Sequence, residues 1–226
     1  MGFLQIASLL VVSYFIGAIP NGWIVVKLKT GKDIREVESG RTGGTNAARA
    51  GGFSAGAVTS VADFFKGAVP VWLALWAGHH YDWVAIACPL LAILGHNYSI
   101  FLAERDVNGR LHLKGGAGGA TCVGGAFGLW PGSLLIIAPV SMAILFGLGY
   151  ASVATLSMAF TSIVIFAVRA VLGLDPPIYV LYGVFAEFLL MWALRPNIKR
   201  LSQGTERVIE VSLRAKRQKR PQHNHA

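Results

Sequence analysis

Glycines, hydroxyls and guanidiniums crowd into one stretch of the chain, Glu38-Ser-Gly-Arg-Thr-Gly-Gly-Thr-Asn-Ala-Ala-Arg49. Glycines such as Gly40 and Gly43 let backbone N–H groups approach an anion and form the concave nests that hold phosphate oxygens. Arg41 and Arg49 add planar forks that match a phosphate, and Ser39, Thr45 and Asn46 add neutral polar atoms. A glycine-rich stretch also reads as a plain flexible turn. Two further segments favour the anion. Lys114-Gly115-Gly116-Ala-Gly-Gly-Ala-Thr121 is a second cradle led by a lysine, although small residues equally serve close helix packing in lipid. Arg195-Pro-Asn197-Ile-Lys-Arg200-Leu-Ser-Gln-Gly204-Thr-Glu206 is the third. Its cations suit an ordinary membrane anchor, but an anchor has no need of Asn197 or Glu206.

Asp63 and Lys66 stand three apart inside an apolar run, on one helix face. Ionisable groups at membrane depth are costly unless paired or turned to a polar cavity, so they read either as site residues or as an internal ion pair. His96, near the end of another apolar run, offers a proton acceptor or a substrate hydrogen bond. A satisfied interfacial histidine is the plainer alternative. Asp33 and Arg35 are expected to clamp the base of the first loop, or to form a solvated surface pair.

These residues need elements to hold them. Of 226 residues 54% are hydrophobic and only 14% charged, and the mean hydropathy is +0.55. That profile belongs to a multi-pass membrane protein. A hydrocarbon core of about 30 Å takes roughly 20 helical residues per crossing. Seven spans fit: about Phe3–Val26, Phe53–Trp76, Trp83–Leu102, a short or half-inserted Gly115–Trp130, Leu134–Tyr150, Val153–Leu172 and Ile178–Leu194. The first lacks a basic leader and is expected to be retained. Lys27 to Gly52 and Glu104 to Lys114 read as polar loops, the latter with an Asn108-Gly109 hairpin signal.

Lysine and arginine gather in the first loop, the third loop and the tail, which are the connections that seven spans place on one face. The expectation is an all-α protein with its N-terminus outside and its C-terminus cytoplasmic. Residues 1–200 form the membrane domain and 201–226 a basic cytoplasmic tail. The formal charge of +9 points to lipid heads or an anionic substrate, not to nucleic acid. Cys88 and Cys122 lie in apolar stretches and suggest neither a disulfide nor a metal pair. His223 and His225 are too few for a metal site. No internal repeat is visible.

Taken in order, the three segments resemble the bacterial PlsY family, membrane acyltransferases that acylate glycerol 3-phosphate from acyl phosphate. The family's first motif, Asp-Ile-Arg-x-x-Gly-Ser-Gly-Asn-x-Gly-Ala-Thr-Asn-x-x-Arg, stands here from Asp33 to Arg49, followed by Asp63-Phe-Phe-Lys66-Gly67. The second, Gly-His and then Gly-Gly-Lys-Gly-x-Ala-Thr, is matched by Gly95-His96 and by Gly115 to Thr121. The third, His-x-x-Asn-Ile-x-Arg-Leu-x-x-Gly-x-Glu, is matched from Asn197 to Glu206. The likeness covers about residues 14 to 206. Among the departures from it, Arg41 stands for the family's Asn, Ala117 for its Lys and Leu194 for its His. The polar insertion Ala103–Leu113 is a further difference.

The resemblance implies an inner-membrane enzyme making 1-acyl-glycerol 3-phosphate for phospholipid synthesis, with acyl phosphate and glycerol 3-phosphate as partners and no metal or cofactor. Ser39, His96 and Asn197 are the expected catalytic residues. Gly40, Arg41, Gly43, Thr45, Asn46, Arg49, Lys66, Lys114, Gly115, Gly116 and Glu206 are expected to bind substrate. No Ser-His-Asp or Cys-His arrangement is visible, so direct attack by the acceptor hydroxyl is preferred. An acyltransferase for another phosphorylated acceptor fits the same residues. So does a non-catalytic lipid-phosphate binding or transport protein, although transporters favour repeats and polar groups across the full membrane depth.

Overall fold

A computed structural model describes residues 2–77, 81–209 and 212–215. Part of the expected second loop, 78–80, lies outside the described residues, as do 216–226, which hold most of the Arg214–Arg220 cluster and both terminal histidines.

Among the described residues, eight α-helices carry the chain. The first apolar run folds as α1 (Phe3–Ala18) and α2 (Asn21–Thr30), broken at Ile19-Pro20 because proline has no N–H to give the preceding turn. Gly31, at φ 72°, then ends α2 in the left-handed conformation. The helix thus runs past the expected end at Val26.

The next helix, α3 (Gly44–Ala77), starts nine residues before the expected second span at Phe53. Its first two turns are set off from the rest at Gly52, whose φ of 80° and ψ of 176° are open in practice only to glycine. Thr45, Asn46 and Arg49 therefore sit on a helix, and the irregular loop shrinks to 31–43.

α4 (Asp82–Asn97) leads through a single 3-10 turn to β1 (Ala103–Arg105) and β2 (Leu111–Leu113), an antiparallel hairpin with Glu104 opposite His112. The Asn108-Gly109 signal is realised: Gly109 takes φ 75°, and the Asp106 carboxylate accepts from the N–H groups of Asn108 and Arg110 at 2.8 and 2.9 Å. After α5 (Gly119–Leu129) come α6 (Leu134–Leu148), α7 (Ala151–Val171) and α8 (Tyr179–Ser202).

Five helical segments are long and apolar enough to cross a bilayer: 3–30, 44–77, 82–102, 131–148 and 151–171. The other two expected spans differ in kind. The 11 residues of α5 rise about 16 Å, roughly half the hydrocarbon thickness. The 24 residues of α8 are long enough, but Glu187, Arg195, Lys199 and Arg200 dilute their hydropathy.

Small residues bring the helices together. A side chain on Gly17 would strike the Ala92 carbonyl at 2.1 Å, and one on Gly95 the Tyr14 carbonyl at 2.2 Å, so α1 and α4 cross almost backbone to backbone. Gly67 and Gly124 do the same for α3 and α5. The glycine run thus serves packing from Gly119 onward and forms a loop only before it. Ile93, Cys122, Phe166, Tyr182 and Leu190 fill the core between α4, α5, α7 and α8, where the Tyr182 hydroxyl donates to the Cys122 carbonyl at 2.6 Å.

Candidate active site

The break at Pro20 leaves the carbonyls at the end of α1 without helical donors, which is untenable in an apolar interior unless other groups reach them. Lys66 supplies the answer. Its Nζ donates to the carbonyls of Ile19 at 2.6 Å and Gly17 at 3.2 Å, and pairs with Asp63 at 2.9 Å. Ser99 Oγ donates to the Ala18 carbonyl at 2.5 Å. Asn21 Nδ2 donates to Asp63 at 3.2 Å. His96 Nδ1 lies 3.3 Å from Lys66 Nζ and so accepts from the ammonium, which assigns the ring proton to Nε2, facing Gly116. Lys66 is 5% exposed and lines neither cavity described below. Its ammonium, expected among the phosphate ligands, is turned toward the broken helix end, the Asp63 carboxylate and His96.

The first loop wraps the opening turns of α3. Asn46 Nδ2 donates to the carbonyls of Ile34, Val37 and Arg41 at 3.2, 3.0 and 2.9 Å. Its amide, expected to position substrate oxygens, holds the loop instead, although the residue still lines the cavity. Asp33 accepts from Trp23 Nε1 and from the backbone and side chain of Arg35. The Arg35 guanidinium holds the Asp33 carboxyl well below the usual carboxylate range, and Asp33 in turn raises the pKa of Arg35. Arg35 and Lys114 both grip Glu104 of the hairpin, at 2.5 Å each. The expected clamp is present, and it also fixes the inserted hairpin. The Thr42 N–H donates to the Gly115 carbonyl at 3.3 Å, docking the loop on the glycine run.

Arg41 joins all three segments. Its Nη1 donates to the Gly116 carbonyl at 3.1 Å, and its Nη2 to the Ala193 carbonyl and to Asn197 Oδ1 at 3.2 Å. Burial and the nearby Arg200 push its pKa down from the usual guanidinium value. Asn197 Nδ2 donates to Glu206 at 2.8 Å, and Glu206 also accepts from Ser152 and Arg200. Glu206 therefore organises the wall that α8 and α7 share.

Two cavities flank this guanidinium. The first, about 180 Å³, takes in Gly43, Thr45, Arg49, Asp63, His96 and Glu206, with Ala117 and Leu194. The second, about 320 Å³, is bounded by Gly40, Lys114, Gly115 and the start of the hairpin connection. Ser39, Arg41, Asn197 and Arg200 line both. Ser39, Lys114 and Asn197, one from each segment, thus meet at one cleft. Lys114 does not reach the first cavity. Gly116 lines neither, but its Cα lies against the His96 imidazole, where a β-carbon would stand 2.0 Å from Nε2.

Several lining residues escaped the sequence reading. Ser152, Thr155 and Met158 form a three-residue repeat on α7, a polar edge on an apolar helix that marks a cavity-facing side. Arg200 follows Asn197 at the same spacing. Arg207 had no such signal; it arrives from a strap after α8, where Val208 bridges to Tyr150 and the Ile209 N–H donates to the Gly149 carbonyl at 2.8 Å. Among the described residues no three His, Cys, Asp or Glu side chains gather as a metal site. Arg49 has no ion pair among them.

The sequence model of the glycerol-3-phosphate acyltransferase family matches residues 7–204. A glycerol-3-phosphate acyltransferase of Staphylococcus haemolyticus is 35% identical over 213 residues, covering 90% of this chain and 97% of the relative. One of Thermus thermophilus is 35% identical over 199 residues, covering 88% and 92%. Among solved structures, the glycerol 3-phosphate form of PlsY, an integral membrane glycerol 3-phosphate acyltransferase, is 30% identical and superposes with a TM-score of 0.76, covering 90% of this chain and 95% of that one. The lysophosphatidic acid form of the same protein gives 28% identity and a TM-score of 0.74 over 91% and 96%.

Proposed function

The chain belongs to the glycerol-3-phosphate acyltransferase family, and we propose that it moves an acyl group from an acyl phosphate to glycerol 3-phosphate at the first cavity. Acylation of glycerol 3-phosphate is the activity its relatives are named for, and it opens phospholipid synthesis. One observation carries the reading: Arg41 and Arg49 from the first segment meet Arg200 and Arg207 from the end of the chain's last helix and the strap after it around Ser39 and Asn197, and among the described residues no carboxylate pairs with Arg41 or Arg49.

The reaction brings two anions together. A preorganised cationic floor removes their repulsion and supplies proximity, effects worth several kcal/mol each. Arg49, Thr45 and the Gly43 backbone hold the acceptor phosphate from the start of α3. Arg41 and Asn197 face it across the cavity, with Glu206 fixing Asn197. Ser39 positions an oxygen at the junction of the two cavities. The acceptor hydroxyl attacks the acyl carbonyl carbon, the bond from that carbon to the phosphate oxygen breaks, and inorganic phosphate leaves. The hydroxyl proton passes to a phosphate oxygen. His96 donates from Nε2 and orients; its Nδ1 is engaged with Lys66, which argues against a role as base. Among the described residues Ser39 Oγ is hydrogen-bonded only to the Arg41 N–H and to no basic side chain, and Cys88 and Cys122 are buried and line neither cavity, which supports direct transfer without an acyl-enzyme.

Arg41, Ala117 and Leu194, which replace the family motif's Asn, Lys and His, all line this cavity. A guanidinium from the first loop thus stands where a lysine and a histidine are absent, which supports retained anion binding. Seven crossings, counting α1 with α2 as one and including the short α5 and the charged α8, place the loop 31–43, the hairpin and the residues after α8 on one face. The clustering of basic residues there supports a cytoplasmic site and a bacterial inner-membrane location. The test is phosphate release by purified protein from palmitoyl phosphate. Release that requires glycerol 3-phosphate supports the assignment; release without the acceptor points to hydrolysis and overturns it.

A further inference from the structure

We propose that the inserted hairpin is a lipid-contact element: Arg105 and Arg110 bind the phosphates of anionic phospholipids in the surrounding leaflet, while Val107 and Leu111 enter the layer between them. The acylation reading makes no use of these four residues. The depth at which the hairpin starts is set by α1. The Tyr14 hydroxyl donates to the Tyr98 carbonyl at 2.9 Å, and the rings of Phe15 and Phe101 lie 6.1 Å apart. Both rings are exposed, and Phe15 belongs to a segment, 3–30, that is apolar enough to cross a bilayer. Lipid tails therefore cover them. Twelve helical rises from Phe3 to Phe15 amount to about 18 Å of a hydrocarbon core of about 30 Å. The chain thus turns at Phe101 inside the far hydrocarbon boundary, where exposed irregular backbone is untenable. Pairing Ala103 with Leu113, Glu104 with His112 and Arg105 with Leu111 answers that demand.

The four extended residues from Ala103 to Val107 span about 13 Å, enough to carry the tip to the headgroup layer. Charge identifies what meets it there. Both hairpin carboxylates are already engaged: Glu104 holds Arg35 and Lys114, and Asp106 accepts from His112 Nε2 at 3.0 Å. Arg105 and Arg110 are exposed, and neither has an ion pair among the described residues. Arg105 stands opposite Leu111, on the face away from Glu104 and His112. Leu111 is 56% exposed and Val107 fully so. Guanidiniums beside an aliphatic tip suit the boundary of an anionic bilayer, with stems along the acyl region and heads on the phosphates. A soluble acidic partner would meet the same two charges, but the hairpin is rooted at Phe101 among lipid-covered rings, which favours the bilayer. Through Glu104 the seated hairpin also steadies Arg35 and Lys114 at the second cavity.

The test places a fluorophore at the tip. The full chain carrying Val107→Cys is labelled with an environment-sensitive dye and reconstituted in vesicles of equal parts phosphatidylcholine and phosphatidylglycerol. Cys88 and Cys122 are buried, and the parent chain taken through the same labelling gives the blank. Spin-labelled lipid quenches the dye in these vesicles, and aqueous iodide does not. Adding Arg105→Gln and Arg110→Gln lowers the ratio of seated to free hairpin roughly 25-fold, about fivefold for each charge, and opens the dye to iodide. The pair Arg105→Lys and Arg110→Lys retains the lipid quenching, which separates lost charge from a lost fold. In phosphatidylcholine alone, the chains with and without the two arginines are quenched alike. Iodide quenching in the mixed vesicles, with spin-labelled lipid having no effect, would overturn the lipid contact and leave the face to a soluble partner. Equal lipid quenching with and without the arginines in the mixed vesicles, or with and without phosphatidylglycerol, would overturn the anionic headgroup as ligand.

Discussion

Two charged clusters face each other across the glycine run, and they are built on opposite principles. Around Asp63, Lys66 and His96 the chain provides a partner for nearly every charge: the ammonium has one carboxylate, two carbonyls and an imidazole nitrogen within reach. Around Arg41 and Arg49, among the described residues, it provides no carboxylate partner. The first cluster repairs a broken helix end in an apolar interior, and the second is the place proposed for an anion. Burial alone does not separate structural from functional charge in this chain. What separates them is whether the protein itself supplies the counter-ion.

Breaking the saturated cluster should therefore cost stability, and breaking the open one should cost binding. The largest effect is expected for Asp63→Ala, which strands a buried ammonium and lowers the unfolding free energy in detergent by about 3–5 kcal/mol. Stability within error of the parent would mean that the site tolerates a lone lysine, and the contrast would fail. Arg41→Ala removes charge-assisted contacts that only substrate completes. It should lower kcat/KM by about 100-fold, or about 2.7 kcal/mol, with a smaller loss of stability from the freed Gly116 and Ala193 carbonyls.

Arg49→Ala should raise the KM for glycerol 3-phosphate about tenfold, with kcat and thermal stability nearly unchanged, as expected for one exposed phosphate contact. An unchanged KM would remove Arg49 from the site. The smallest effect concerns the clamp beneath the loop. Because the pKa of Asp33 is depressed in the fold, its contribution is complete above its unfolded value of about 3.9 and is lost only as pH falls through the lower native value. Asp33→Asn should thus lower Tm by a constant amount, equivalent to about 1 kcal/mol, from pH 8 down to about pH 5. The two proteins should converge only in stronger acid. Convergence already near neutrality would show that the clamp does not act through the carboxylate.

Much of the architecture was legible because it follows from spacing and composition. Apolar runs marked the helices and Asn108-Gly109 marked the hairpin, and the glycine, hydroxyl and arginine segments do come together at one cleft. What was not legible depended on tertiary meetings. Lys66 reads as a site cation until Pro20, far off in the sequence, leaves carbonyls at Gly17 and Ile19 to which its ammonium donates. Gly44-Thr-Asn-Ala-Ala-Arg-Ala-Gly51 reads as loop because glycines depress helix propensity. Packing beneath α2 and the capture of loop carbonyls by Asn46 make it helical. Glu38, at φ 48°, occupies a conformation that favours glycine, where the family motif has one. Its ion pair with Arg207 at 3.0 Å was invisible without the strap.

That strap has a consequence for biogenesis. Glu206 and Arg207, which complete one wall of the first cavity, follow α8, so this wall is synthesised after the eight helices that carry the rest of the site. A nascent protein with α8 already inserted but Val208 not yet paired with Tyr150 has its basin open on one side, with Asn197 lacking its carboxylate partner. Competence for turnover is therefore gained after insertion, in a final closure near the surface. An early stop codon or proteolytic nick just beyond Ser202 would leave a stably inserted bundle without a working enzyme.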